Sequence, residues 1–119
     1  MFEQLHEGSG KVLELKIYGM LSDRETEQID RLIEARAAEW GGTNLFLDIE
    51  GFPNMDPEGL LENLKFLRTH EMRLTRVAVI SNRVWIKSWV LLGGLFLQSQ
   101  VRYFDRSERS AARQWLQES

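Results

Sequence analysis

The sequence contains no cysteine, and this absence removes several classes of site. Without a thiol there is no disulfide framework, no thiolate ligand for a metal and no cysteine nucleophile. Histidine is scarce as well: His6 and His70 are the only two, and neither has the spacing of a metal site or a catalytic triad around it. No serine lies in a nucleophile-elbow sequence. We therefore assign no catalytic residue, no metal ligand and no cofactor.

An excess of positive charge is also lacking. The chain has 15 Lys and Arg against 18 Asp and Glu, a formal net charge of -3. Because affinity for nucleic acid depends on clustered basic residues, this balance argues against a nucleic-acid partner. The N-terminus has neither a basic nor an apolar region of the signal-peptide kind, so we expect a cytoplasmic protein. A length of 119 residues predicts a single domain over residues 1–119.

Two hydrophobic periodicities alternate along the chain. Leu13, Leu15 and Ile17 recur at every second position, as in a strand with one buried face, whereas Ile29, Ile33 and later residues recur at helical spacing. Turn and capping residues separate these segments. The predicted order is a strand (Phe2 to Glu7), a strand (Lys11 to Tyr18), a helix (Ser22 to about Trp40), a strand (45–49), a helix (Pro57 to about Met72), a strand (Arg76 to Ser81), a helix (about Arg83 to Gln98), a strand (Val101 to Phe104) and a final helix capped by Ser107.

This order predicts an α/β fold in which a hairpin leads into repeated βαβ units. The sheet should be mixed but mostly parallel, with about five strands. Because the second and third strands alternate in polarity, we expect helices mainly on one face of the sheet. The other face would be only partly covered and could serve as a contact surface, displaying Glu14, Lys16, Phe46, Ile80 and Phe104.

The segment from Asp48 to Leu60 is the most informative part of the sequence. It reads as a strand end, a short loop and a helix start, in which Asp56 is a helix cap, Pro57 the first helical residue and Glu58 a first-turn acid. The carboxyl ends of parallel strands are where ligands and partners bind. The candidate binding residues at this edge are Asp48, Glu50, Asn54, Asp56, Pro57, Glu58, Ser81, Asn82 and Arg83.

The four carboxylates of this segment, Asp48, Glu50, Asp56 and Glu58, have two interpretations. They could form a general acid/base pair or a site for a hard metal ion. The structural interpretation is favoured, because capping and the helix dipole already explain Asp56 and Glu58. Asp48 and Glu50 lie on the same side of their strand, and we expect both to face water. Ser81 and Asn82 are expected to cap the following helix.

The predicted helix from Arg83 to Gln98 is apolar on nearly every side. Such a helix is usually buried, but a domain of this size can hardly enclose all of it. Buried core, the wall of an apolar cavity, and a surface for a membrane or a second subunit are the three alternatives, and the run is too short to cross a bilayer. The residues expected to line a pocket or interface are Trp85, Trp89, Leu92 and Phe96.

The element order and three short stretches resemble a known family. These stretches are Tyr18-Gly19-Met20-Leu21, Asp48 through Leu60, and Tyr103-Phe104-Asp105 with the later run from Ala111 to Leu116. Together they are similar to the STAS-like fold of anti-sigma-factor antagonists, and more closely to the SpoIIAA-like family, described as STAS/SEC14-like. The resemblance implies a non-enzymatic regulatory or binding module.

The antagonists carry Met-Asp-Ser-Ser-Gly-Leu at the central stretch, where the serine after the aspartate receives a phosphate. Met55-Asp56 and Gly59-Leu60 match this pattern, but Pro57 and Glu58 replace the serines. No hydroxyl remains there to phosphorylate, and Glu58 would imitate a permanently negative state. The resemblance thus implies the fold without the phosphorylation switch.

Two functional hypotheses follow from these observations. The first is a protein-interaction module that acts through the loop before the second helix and the start of the third. The second is a carrier or sensor of a small apolar ligand such as a lipid, suggested by the third helix and the SEC14-like side of the resemblance; an enzyme ranks third. We also expect a homodimer, formed through the third helix or the less covered sheet face.

Overall fold

The computed structural model describes residues 1–5, 10–50, 56–93 and 99–118. Within these ranges the chain forms one five-stranded sheet. The strands are β1 (Phe2–Leu5), β2 (Val12–Tyr18), β3 (Thr43–Glu50), β4 (Leu74–Ser81) and β5 (Gln100–Asp105). The helices are α1 (Asp23–Trp40), α2 (Pro57–Asn63), α3 (Lys65–Thr69), α4 (Val84–Leu91) and α5 (Arg109–Gln117), with a 3-10 turn at Arg106–Glu108 before α5.

The strands lie in the sheet in the same order as in the sequence. β1 pairs antiparallel with β2, and the pairs β2–β3, β3–β4 and β4–β5 are parallel. The predicted mixed, mostly parallel sheet is therefore confirmed. Because successive crossovers advance in one direction and are right-handed, α1, α2 with α3, and α4 all fall on the same face of the sheet. α5 follows the last strand and has no crossover to complete, so it is free to pack on the opposite face.

Two separate apolar clusters hold these layers together. On the first face, the odd-numbered residues of β2 and β3, such as Leu15 and Leu47, pack with Ile29 and Ile33 of α1 and with Ile86 of α4. The second cluster lies between the other face and α5, and consists of Val12, Phe46, Ala78, Ile80, Phe104, Ala112 and Leu116. The prediction of helices mainly on one face is confirmed. The expected contact surface on the second face is wrong, because α5 covers that face and Glu14, Phe46, Ile80 and Phe104 are buried.

The ends of α1 follow the sequence closely. Ser22 is the N-cap: the Glu25 N–H donates to its Oγ at 3.2 Å, and the Ser22 N–H donates to Glu25 Oε1 at 3.0 Å. Gly41 ends the helix at a φ of 71°, a left-handed conformation that glycine adopts without strain.

Replacing Glu25 by alanine should reveal a pH-dependent contribution to stability. The hydrogen bond from the Ser22 backbone holds the pKa of Glu25 below its ordinary value. Because the folded pKa is lower than the unfolded one, Glu25 stabilises the protein at neutral pH and this contribution is lost as the pH falls through the folded pKa. Denaturant unfolding should show the variant to be less stable by up to about 1 kcal/mol near pH 7. The free energies of unfolding of the wild-type protein and the variant should converge in acid. A difference that does not change with pH would contradict the stabilising role of the ionised Glu25 side chain.

The helices after β3 depart from the sequence prediction. The helix predicted over Pro57 to Met72 is divided at Leu64, whose φ of -104° and ψ of 25° are not helical. The helix predicted to reach Gln98 is described only to Leu91, and Gly93 then adopts a φ of 80°. Ser107 is not the cap of the last helical segment: the Asp105 side chain caps the 3-10 turn, with Glu108 as the reciprocal partner.

Candidate functional site

The parallel strands β2 to β5 all end at one edge of the sheet, here called the carboxyl edge. Tyr18, Glu50, Ser81 and Asp105 are the last residues of these four strands. The helices α1, α2 and α4 begin beside this edge, since each follows one of the strands. The starts of α2 and α4, predicted to lie side by side, follow the neighbouring strands β3 and β4 and pack on the same face. Asn54 lies outside the described residues.

The start of α2 presents an acidic group to solvent. Asp56 Oδ1 accepts a hydrogen bond from the Gly59 N–H at 2.8 Å, Pro57 is the first helical residue and Glu58 lies in the first turn. All three of the residues 56–58 are exposed. The predicted cap is thereby confirmed. Because both carboxylates lie at the positive end of the helix dipole, their negative charge is stabilised where it faces water.

The start of α4 is held by β4 and β5. The Arg83 N–H donates to Ser81 Oγ at 3.1 Å, and the Tyr103 hydroxyl donates to the Ser81 carbonyl at 2.7 Å. Burial, with a further contribution from Asp105, raises the pKa of the Tyr103 hydroxyl, so it stays protonated as a donor. The prediction that Ser81 or Asn82 caps the helix is wrong, since Arg83 occupies the N-cap without a side-chain hydrogen bond. Asn82 is exposed.

The hydrophobic residues of α4 are divided between the core and solvent. Ile86 is fully buried, and Trp85 and Trp89 are half-buried against the first cluster. By contrast, Val84, Leu91 and Leu92 have exposed fractions of 78%, 70% and 87%. The helix is therefore not a core helix, because one side of it remains uncovered by the described residues. Phe96, the fourth residue predicted to line a pocket or interface, lies outside them.

Asp48 differs most from its predicted environment. Its side chain is fully buried beneath the C-terminal segment, so the expectation that it faces water was wrong. Arg109 donates a hydrogen bond to Oδ2, and the Arg106 Nη1 lies 2.9 Å from Oδ1. Arg106 also donates to the Ile49 carbonyl at 2.9 Å. These contacts tie the end of β3 to the segment that leads into α5.

Glu50 and Lys16 lie at the rim of the same charged region. Lys16 Nζ is 3.2 Å from Glu50 Oε2, and Arg106 Nη1 is 3.8 Å from Glu50 Oε1. The Tyr18 and Glu50 side chains raise the pKa of Lys16, in that order of effect. Unlike Asp48, Glu50 is partly exposed and remains accessible at the carboxyl edge.

Asn63 is a positioning residue that the sequence prediction missed. It is buried, with 3% of its surface exposed. Its Oδ1 accepts from the Leu21 N–H at 2.6 Å and its Nδ2 donates to the Gly19 carbonyl at 2.9 Å. One side chain therefore joins the end of α2 to the loop between β2 and α1. An asparagine within an apolar helical stripe is the signal that could have identified it.

His70 does not contribute to this edge. His70 is buried, and its Nε2 lies 2.9 Å from Asp30 Oδ1, a contact between the end of α3 and α1. His6 lies outside the described residues. Across the described ranges no three His, Asp or Glu side chains are grouped so that they could hold a metal ion. None of the described helices has the length and hydrophobicity needed to span a bilayer.

Comparison with known proteins places the chain in a family. A crystal structure of an uncharacterised protein of the DUF3478 family, with a SpoIIAA-like fold, from Shewanella loihica, is 22% identical to it, with a TM-score of 0.67. The alignment covers 97% of this chain and 93% of that chain, and at this identity it shows the fold. No curated protein matches the sequence. A family model described as SpoIIAA-like matches residues 12–117. Because that match spans most of the chain, the protein belongs to the SpoIIAA-like family.

Proposed function

We propose that the protein is a non-enzymatic, STAS-like regulatory module that binds a protein partner at the carboxyl edge. The observation that carries the proposal is the juxtaposition of two helix starts on neighbouring parallel strands. One presents exposed carboxylates, Asp56 and Glu58, and the other presents Asn82 and the exposed Val84. The exposed carboxylates at the α2 start and the exposed Val84 at the α4 start suit a partner with basic and apolar side chains. We expect this module to act as a single domain in the cytoplasm.

The chemistry at the edge favours recognition over phosphorylation. In the family resemblance drawn from the sequence, Pro57 and Glu58 stand where the antagonists carry serines. Neither side chain carries a hydroxyl group that could take the place of the phosphorylated serine. We therefore propose that the negative charge at this helix start is permanent, and that binding is not switched by a kinase acting there.

Affinity capture with charge-removing variants tests this proposal. In Asp56→Asn with Glu58→Gln, asparagine retains the helix cap, so folding should be nearly unchanged while the negative charge disappears. The matched control is Glu34→Gln with Glu39→Gln, which removes two exposed carboxylates from α1. Tagged proteins expressed in the cells of origin would be compared by quantitative mass spectrometry of co-purifying proteins.

The edge variant should lose at least about nine-tenths of its specific partner, as expected when rim charges that guide association are removed. The control should retain the partner. Equal capture by the wild-type protein and both variants would refute a binding role for the α2 start.

A second candidate function is binding of a small apolar ligand such as a lipid. The observation in its favour is the uncovered side of α4, where Leu91 and Leu92 are exposed beside the half-buried Trp89. Exposed apolar surface of this kind marks ligand or membrane contacts as well as protein interfaces.

Organic extraction of freshly purified protein, followed by mass spectrometry, should then yield a lipid in near-stoichiometric amount. Adding that lipid to delipidated protein should raise the Tm, because a ligand that binds only the folded state stabilises it. An empty extract together with an unchanged Tm across fatty acids and phospholipids would exclude this candidate.

A further inference from the structure

A shallow groove follows α2 and α3 on the outer surface of the helical layer. Its volume is about 360 Å³, and its lining residues are Glu58, Leu61, Glu62, Leu64, Lys65, Leu67 and Arg68. Leu64 and Leu67 are buried and form the floor, whereas Leu61 is 39% exposed. The centre of the groove is thus apolar and its rim is charged.

The charges along the rim are ordered by sign. Glu58 and Glu62 lie in the half formed by α2, and Lys65 and Arg68 lie in the half formed by α3. Within the described ranges, neither Glu58 nor Arg68 has an ion-pair partner. Two opposite charges are therefore available at the two ends of one groove.

The charged side chains in the middle of the groove, Glu62 and Lys65, form only weak ion pairs. Lys65 Nζ lies 3.6 Å from Glu62 Oε1 and 3.8 Å from Asp23 Oδ1, with 73% and 96% of those acidic side chains exposed. Exposed pairs of this kind contribute little to stability, so exchanging them for contacts with another molecule costs little.

We propose that the groove is an interface between two copies of this chain, related by a twofold axis that crosses it near Leu61 and Leu64. A twofold interface requires a surface that is complementary to itself. Rotation by 180° places the acidic half of one copy against the basic half of the other. Glu58 of each copy then faces Arg68 of the other copy, so that one such pair lies on each side of the axis. Leu61 of each copy is covered by the other copy.

This arrangement differs from a dimer formed through α4 or the second sheet face. It involves only a short helical segment, so its area lies at the small end of specific interfaces. The association should be weak and should depend on ionic strength, because salt screens exposed charges. It shares Glu58 with the proposed partner surface at the carboxyl edge, whereas Arg68 belongs to the groove alone, so a change at Arg68 distinguishes the two proposals.

Sedimentation equilibrium of the purified full chain tests the proposal. The variants are Glu58→Arg and Arg68→Glu, alone, mixed with each other, and combined in one chain. At low ionic strength the apparent mass of the wild-type protein should rise with concentration from 13.9 kDa towards twice that value. Each single variant places like charges together on both sides of the axis, so its dissociation constant should rise at least about tenfold.

Mixing the two single variants provides the sharpest readout. In a mixed dimer both terminal pairs join an arginine to a glutamate, so the mixture should associate about as tightly as the wild type. The chain with both substitutions should do the same. Circular dichroism spectra and Tm values would establish that every variant is folded.

Several outcomes would overturn the proposal. They are a monomeric wild-type protein at every concentration, single variants that associate like the wild type, and a mixture that stays monomeric. A dimer that persists in these variants but is lost in Leu92→Asp would place the contact on α4 instead. Arg68→Glu separates the proposals: it should weaken self-association at least about tenfold while leaving partner capture at the carboxyl edge unchanged.

Discussion

Replacing Arg113 by alanine should lower the free energy of unfolding by about 3 kcal/mol, among the largest effects expected for one substitution in this protein. The reason is Glu14, which is 1% exposed on the second face of the sheet. Arg113 Nε lies 3.0 Å from Glu14 Oε2, and Nη2 lies 3.1 Å from Oε1. Without the guanidinium, a buried carboxylate loses its paired charge beneath α5, and chemical denaturation would measure the loss.

A matched double variant distinguishes the cost of leaving Glu14 charged and unpaired from the net contribution of the ion pair to the free energy of unfolding. Replacing both partners by apolar residues, Glu14→Leu with Arg113→Met, removes the buried charge together with its counter-charge. Such replacements are often neutral or stabilising, so the double variant should be clearly more stable than Arg113→Ala. Arg24→Ala, on the exposed side of α1, should change stability by less than about 0.5 kcal/mol. An Arg113→Ala protein as stable as the Arg24→Ala control would contradict the ion-pair assignment.

Replacing Asn63 by leucine should lower the free energy of unfolding by about 2 kcal/mol. Leucine has a similar size but cannot satisfy the Leu21 N–H or the Gly19 carbonyl, which Asn63 contacts. Buried backbone groups without partners cost more than the hydrogen bonds contributed. The Leu21 amide should also exchange with deuterium faster, because its hydrogen bond anchors the loop between β2 and α1.

Glu62→Ala is the control for this variant. Glu62 precedes Asn63 on α2 but is exposed, and its ion pair with Lys65 is weak. It should therefore change stability by less than about 0.5 kcal/mol. If Asn63→Leu matched this control in stability and in exchange at Leu21, the proposed bridging role would be wrong.

The sheet could be predicted from the sequence because short-range signals determine it. The alternation in β2 and β3 marks one face of each strand for the core, and the capping residues at Ser22 and Asp56 mark two helix starts. The parallel arrangement follows from the helices between strands. The element order and the buried face of each strand are thus consequences of patterns a few residues long.

The environment of Asp48 could not be predicted in the same way. Its partners, Arg106 and Arg109, lie 58 and 61 positions later in the sequence. A signal was present, since Arg109 and Arg113 share one side of a helix and Glu14 and Asp48 share one face of the sheet. These arginines meet these carboxylates only because α5 packs on that face of the sheet. No local rule determines where α5 packs.

The break at Leu64 was also beyond local inference. No glycine or proline marks Leu64, so the division between α2 and α3 depends on how the two helices pack. For α4, incomplete burial was predicted from the size of the domain, but the identity of the exposed residues was predicted only in part. Leu92 is exposed as expected of an interface residue, whereas Trp85 and Trp89 pack against the first cluster and Val84 and Leu91 are exposed instead. In both cases tertiary packing overrides the sequence pattern.

Site-specific photocrosslinking in the cells of origin would show whether the carboxyl edge is the binding surface. A benzophenone amino acid at Asn82 would report on the edge, and one at Glu39, exposed near the end of α1, would serve as the control. If partners bind at the carboxyl edge, position 82 should give discrete adducts with a second protein, weakened by Glu58→Gln, and position 39 should give none. Adducts equally strong at both positions, or adducts from position 39 alone, would contradict it.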